Sequence, residues 1–314
     1  RANAASMHII GGWHDFFLPQ QVKDFEDSSR CGNDAKITIG PWHHWDVVDF
    51  VPSVIRISLE EYSRHLLHIE PNSAMDDFPV KIYVSGAEEW RGYTTWPPSA
   101  DSCVYYLCGS VSAGGSLEKQ PAHRPDRKET SYEYNPHRPT PSVGGASFNP
   151  FNAGPREQSK LLKRKDVLSF CVAQELEKDV DIIGTVQAEI WFSSTAPSAD
   201  LCLKICDERP NGTCWNVCEG YSRQFNCCGK PTKVIVEIGP TAYRFKRGHS
   251  IRLIVCSGAH PRVARNFGTN SDLGETEEDQ MIRGVVSIHH SGTHKSHVVL
   301  PIALDPYTVL LSGV

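Results

Sequence analysis

Asp15 stands in the run Gly12-Trp13-His14-Asp15-Phe16-Phe17, and His44 in Gly40-Pro41-Trp42-His43-His44-Trp45. Each follows a short apolar run closed by glycine: His8-Ile9-Ile10 before Gly11, and Ala35 to Ile39 before Gly40. Such runs predict short buried strands. Residues just past the carboxyl ends of parallel strands are where α/β sheets carry their chemistry. The two residues are 29 positions apart, room for one helix and one strand. A carboxylate and then a histidine at this spacing fit the last two members of a Ser…Asp…His triad. In that chemistry the Asp orients the imidazole and stabilises its protonated form, while the His moves a proton between serine and leaving group. Other readings stand beside this one. Asp15 can cap the following helix, and His44 can pack among Trp42 and Trp45.

The nucleophile is the missing member. A nucleophile elbow requires Gly-x-Ser-x-Gly, because small residues let the strained turn fit. Four Gly-x-Ser tripeptides begin at Gly114, Gly145, Gly220 and Gly248, but their fifth residues are Glu118, Asn149, Gln224 and Arg252. All four also follow His44, against the expected chain order. Residues 1–314 therefore carry no visible serine for triad hydrolysis.

The elements that must position Asp15 and His44 alternate strand and helix over residues 1–75, with helices expected over Pro19 to Ser29 and Ser53 to His68. That alternation predicts parallel α/β packing. Downstream, residues 76–314 read as many short strands: Pro79 to Ser85, Cys103 to Cys108, Tyr132 to Tyr134, Val180 to Ser193, Asp200 to Cys206, Thr232 to Ile238 and Ser250 to Cys256. They are β-branched and bounded by Gly, Pro and Asn, which predicts a β-sandwich or jelly roll. Gly109 to Pro155 reads as a long ordered loop, and Lys160 to Lys165 as a solvated strand entry.

The composition excludes several classes. With 39% hydrophobic residues and 12 Phe, 10 Tyr and 7 Trp, the chain has ample material for a core and is not disordered. No stretch of 18 apolar residues indicates a membrane span. A net charge of −5 without a dense basic cluster argues against nucleic-acid binding. Eleven cysteines, an odd number with no Cys-x-x-Cys, favour a reducing, cytoplasmic compartment. Cys202/Cys206 and Cys214/Cys218 read as buried small residues of a sheet, with a zinc site as the other reading. The histidines at positions 14, 43 and 44, and those at 289, 290, 294 and 297, invite a metal reading too. The preferred expectation is no metal and no cofactor, with the second group facing solvent at strand ends. Trp90 and Trp96 are expected to seal an interface, with a carbohydrate platform as the alternative.

Further motifs run through the β region: Pro79 to Gly86 followed by Glu89-Trp90-Arg91, then Trp96-Pro97-Pro98 and Pro139 to Gly145. Lys165 to Phe170 and Gly248 to Leu253 follow, the last with Pro261 and Asn266 beyond it. Together with Gly-Trp-His-Asp and Gly-Pro-Trp-His-His, they resemble the C-terminal part of the Xaa-Pro dipeptidyl-peptidase and cocaine-esterase family of serine hydrolases. The resemblance implies an α/β-hydrolase core with a helical cap, of which residues 1–75 are the tail, followed by a galactose-binding-like jelly roll over residues 76–314. It implies Asp15 as triad acid and His44, not His43, as base, with Phe17 and Phe148 approaching the acyl pocket. His14 replaces the family's tyrosine. The implied substrates are small esters or short peptides, and a homo-oligomer is left open. Because the chain opens at Arg1 and lacks the serine, it is expected to be a fragment, inactive alone. The alternative is a non-enzymatic binding or assembly module with relic triad residues.

Overall fold

The computed structural model describes residues 5–69, 78–109, 114–121, 128–272, 274–304 and 310–311. Two sheets organise the chain. The first begins with β1 (Met7–His14), α1 (Leu18–Arg30), β2 (Ala35–His43), α2 (Phe50–Leu67), β3 (Val80–Val84) and β4 (Glu89–Tyr93). Strands β1, β2 and β3 are parallel neighbours; β4 runs antiparallel to β3. Leu18, Val22 and Phe25 recur one to two turns apart, so α1 buries a single face against Ile37, Ile39, Val80 and Ile82. Pro19 fits its first turn, where an amide hydrogen has no helical partner. Helix α2 buries only Ile57 and leaves Val51, Ile55, Leu59, Tyr62, Leu66 and Leu67 exposed.

The expected boundary near residue 75 lies outside the described residues. The strands flanking it, β2 and β3, pair in one sheet. Val80–Val84 was expected among the sandwich strands and instead extends the first sheet. A β-branched run states only that it is a strand; which neighbour it meets depends on packing.

The sandwich comprises β5 (Ala100–Gly109), β6 (Gly114–Glu118), β7 (Glu129–Tyr134), β8 (Val167–Val172), β9 (Val180–Ser194), β10 (Ser198–Glu208), β11 (Cys214–Phe225), β12 (Thr232–Phe245), β13 (Ser250–Cys256), β14 (Gly284–His289) and β15 (His297–Ala303). The one-turn α3 (Ser159–Leu162) precedes β8, and β16 (Leu310–Leu311) returns to pair with β4. The strand order is β11-β10-β13-β8-β6-β5-β15-β9-β14-β7, with β12 on β9. Every strand from β5 to β15 contributes to one apolar cluster, so the sheet folds over onto a common core. Alternation is plain in β12, where Val234, Val236 and Ile238 are buried and Ile235 is exposed.

Two expectations change here. Strand β6 lies inside the expected long loop, whereas β7 contains the expected strand Tyr132 to Tyr134. Lys160 belongs to α3, whose Leu161 is buried, rather than to a strand entry. Trp96, expected to seal an interface, is buried beside Trp13 at 6.0 Å between ring centroids, and only the alternative of a carbohydrate platform is removed.

The cysteines are all free. Cys202, Cys206, Cys214 and Cys256 pack with Leu161, Val167 and Ile254 as a small apolar cluster on the outer face of β10. Among the described residues no three His, Cys, Asp or Glu side chains are grouped to hold a metal ion, and no helix is long and apolar enough to cross a membrane.

The two sheets meet where Ser85 donates to Ala242 and accepts from the Arg244 amide, at 3.0 and 2.7 Å. Ile183 and Ala242 from the sandwich enter the core of the first sheet. Asp181 on β9 binds Arg91 of β4 at 2.8 Å and Arg244 of β12 at 2.6 Å.

Candidate functional site

Asp15 follows β1 directly, and His44 follows β2. A bulge shifts the β1–β2 register between Gly12 and His14, which pairs with His43. The main chain of Trp42 crosses so close to Gly12 that a Cβ there would lie 2.3 Å from the Trp42 oxygen. Glycine permits this crossing, and beyond it His44 reaches Asp15. The His44 Nδ1 stands 3.1 Å from Asp15 Oδ2, and the other carboxylate oxygen accepts the Phe17 amide hydrogen at 3.0 Å. A carboxylate can only accept, so Nδ1 carries the proton and Nε2 is left as the basic nitrogen. No described residue hydrogen-bonds to Nε2.

Four aromatic rings surround this imidazole. Phe16 lies 4.5 Å away between centroids, Trp45 5.2 Å, Phe17 5.5 Å and Phe148 5.9 Å. The Trp45 indole N–H donates to the Phe148 carbonyl at 2.8 Å, tying the first sheet's loop to the sandwich's loop. Phe17 and Phe148 are 53% and 65% exposed, so the rings form an open apolar wall rather than a core. The structure thus brings Asp15, His44, Phe17 and Phe148 together. Phe16 and Trp45 complete the wall; Trp45 was read as a packing neighbour of His44, and Phe16, whose signal was the aromatic pair following Asp15, was not singled out.

The remaining histidines separate. His43 accepts the Trp45 amide hydrogen and does not join Asp15. His14 is buried; burial pushes its pKa down to about 4, with Glu219 opposing and His43 adding to the shift. Near the C-terminus, His289 and His294 approach to 5.9 Å between rings, but His297 stacks on Tyr106. His290, expected in solvent, is buried against Phe170, bonds Thr130 at 2.8 Å, and is also pushed down to about 4, by burial first and then by His289. Strand alternation sends His289 outward and His290 inward.

Both buried imidazoles are neutral in the folded state and titrate near 6.5 when unfolded. Their stabilisation is complete above pH 6.5 and is lost as pH falls from about 6.5 to about 4, by about 3 kcal/mol for each group. Urea titrations at pH 7.5 and 4.5 should show this decline, and His290→Gln should shrink it. An unchanged pH slope in that variant would refute the assignment.

None of the four Gly-x-Ser serines hydrogen-bonds His44. Ser116, Ser222 and Ser250 lie in β6, β11 and β13, and Ser147 is buried, accepting the Asn149 amide hydrogen.

The pattern of the X-Pro dipeptidyl-peptidase C-terminal non-catalytic domain matches residues 72–299. Cocaine esterase of Rhodococcus sp. (strain MB1 Bresler) is 29% identical over 325 residues, covering 94% of this chain and 56% of that protein. The fold is similar to that of an α-amino acid ester hydrolase, with a TM-score of 0.79 at 19% identity over 94% of this chain and 55% of the other. An aminopeptidase from the marine sediment archaeon Thaumarchaeota archaeon superposes with a TM-score of 0.77 at 18% identity, over 95% and 55% of the two chains. The chain spans about half the length of these relatives. Matched by the family pattern over more than half of its residues, the chain belongs to the Xaa-Pro dipeptidyl-peptidase and cocaine-esterase family.

Proposed function

We propose that Asp15 and His44 are the acid and base of a serine-hydrolase triad whose nucleophile is supplied by polypeptide outside residues 1–314. The observation that carries this reading is the 3.1 Å Asp15–His44 hydrogen bond at the ends of two parallel strands, with Nε2 left basic. In the reaction, His44 Nε2 removes the proton of the serine hydroxyl as its oxygen attacks an acyl carbon. The imidazolium, held by Asp15, then protonates the leaving alcohol or amine. Water deacylates the ester by the same route. The substrate is a small ester or a short peptide, with the rings of Phe16, Phe17, Trp45 and Phe148 as an apolar wall for its acyl or aryl group. No cofactor enters this sequence of steps.

Two further features support a hydrolase layer beyond β1. Strand β1 is the outer strand of its sheet, and an open parallel edge is a pairing surface. The exposed apolar row of α2 is a surface that water covers poorly. On this reading residues 1–75 are the tail of an α/β-hydrolase domain and the sandwich is its jelly roll.

The absence of Gly-x-Ser-x-Gly favours a second reading, a non-enzymatic binding or assembly module. A fluorophosphonate probe separates the two. It should label the whole protein and leave residues 1–314 alone unlabelled. Labelling of 1–314 would overturn the external nucleophile, and an unlabelled whole protein would favour the binding module.

A further inference from the structure

Residues 142–158 lead from β7 to α3 and carry Phe148 to His44. The segment closes on itself, since Gly145 and Gly154 exchange N–H···O bonds of 2.8 and 3.0 Å. Asn152 donates to the Ser142 carbonyl and accepts from the Gly144 amide, at 3.1 and 3.2 Å. Little apolar surface holds this loop; Phe148 and Phe151 both face solvent. A buried polar row on β10 and β11 holds it instead.

Lys204 is 7% exposed, and its ammonium donates to the Val143 carbonyl at 2.7 Å and to Gln158 at 3.2 Å. Asn216, 3% exposed, accepts the Arg156 amide hydrogen at 2.6 Å and donates to the Gly154 carbonyl at 3.3 Å. Glu219 lies 3.3 Å from Lys204 and pairs with Arg262 at 2.7 Å, beneath Gly145 of the loop. Burial pushes the Glu219 carboxyl up, but Lys204 and Arg262 outweigh it and keep it ionised. Gly145 presses on that carboxylate: a Cβ there would lie 1.8 Å from Oε1, and its φ is +75°.

Burying an ammonium and a carboxylate carries a large desolvation cost, and an apolar pair of similar volume would hold a sandwich as well. What the ionic row adds is direction. Lys204 and Asn216 bind different backbone atoms of the loop, and Glu219 holds Lys204 while lying directly under Gly145, so together they fix the loop's height above β10 and β11. We propose that Lys204, Asn216 and Glu219 are positioning residues that set the distance of Phe148 from His44, and with it the size of acyl group admitted. This rests on the hydrolase reading of the site for its acyl part, and on geometry alone for its loop part.

Amide hydrogen exchange on residues 1–314 tests the loop part. In Glu219→Gln, exchange at the Gly145 and Gly154 amides should quicken about ten- to a hundredfold, with the β9–β12 amides unchanged. Asn216→Ala and Gly145→Ala should behave alike, and they decide the matter should Glu219→Gln fail to fold. Equal acceleration in the loop and in β9–β12 would mean a general structural role and overturn the proposal. In the whole protein, the kcat/KM ratio for benzoyl over acetyl aryl esters should change about tenfold in these variants, with acetyl-ester kcat nearly constant. A loosened loop with an unchanged ratio would overturn the specificity role. Failure of the wild-type protein to hydrolyse either ester would refute the hydrolase reading, and with it the acyl-size role, while the exchange result still decides the loop positioning.

Discussion

With the proposed triad, Asp15→Asn is expected to lower kcat of the whole protein about 10⁴-fold and to leave KM nearly unchanged. The substitution keeps shape and one oxygen, so the amide of Phe17 retains its acceptor and the entry to α1 survives. What changes is the second oxygen, now able to become an amide donor facing Nδ1 of His44. An imidazole paired with a donor at Nδ1 carries its proton on Nε2, the nitrogen that must act as base. The imidazolium also loses its counter-charge. Asp15 lies behind the imidazole, away from Nε2, so ground-state binding should be preserved. Aryl-ester kinetics on the whole protein check this, and a fall of less than about tenfold would remove Asp15 from the triad. On residues 1–314, the variant should lose the downfield Nδ1 proton signal of His44.

The second large effect is expected at the joint between the sheets. Asp181→Ala should cost about 3–5 kcal/mol of stability at pH 7, read from urea unfolding. Asp181 binds Arg91 and Arg244 together, and Arg91 is 4% exposed. Removing the carboxylate leaves the buried Arg91 guanidinium with Glu89 as its remaining anionic partner. Burial pushes the Asp181 carboxyl up, but Arg244 and Arg91 more than offset this and hold it below its ordinary 3.8. Its contribution is therefore complete above about pH 4 and is lost as pH falls through the depressed value, below the window of the buried histidines. A loss under about 1 kcal/mol would show the cluster to be screened by solvent. The joint also bears on the site. His44 stands on the first sheet and Phe148 on a loop held by the sandwich, so a looser joint should blur their stacking.

Several elements were legible because local chemistry suffices to specify them. Strands β9, β10, β12 and β13 announce themselves by β-branched alternation, and α1 by Leu18, Val22 and Phe25 on one face. Strand β6 was hidden because Gly114-Gly115-Ser116 has poor strand propensity; pairing with β5 and β8 overrides it. Helix α3 was hidden because one turn has no period to read. His290 was misplaced because its neighbour His289 faces the other side of the same strand end.

By itself, the sequence determined the order of the chemistry: a carboxylate and an imidazole after two successive apolar strands, and no nucleophile elbow within 314 residues. Residue type and spacing along the chain are local quantities, so they can be read in one dimension. Only the tertiary structure shows the turn that brings His44, named by the resemblance, to Asp15, and only it decided that β3 joins the first sheet and that Lys204, Asn216 and Glu219 stand beneath the loop of Phe148. Those outcomes depend on a bulge, a strand's choice of neighbour, and contacts between residues some 60 positions apart. They are settled by which surfaces exclude water together, a property no single segment holds.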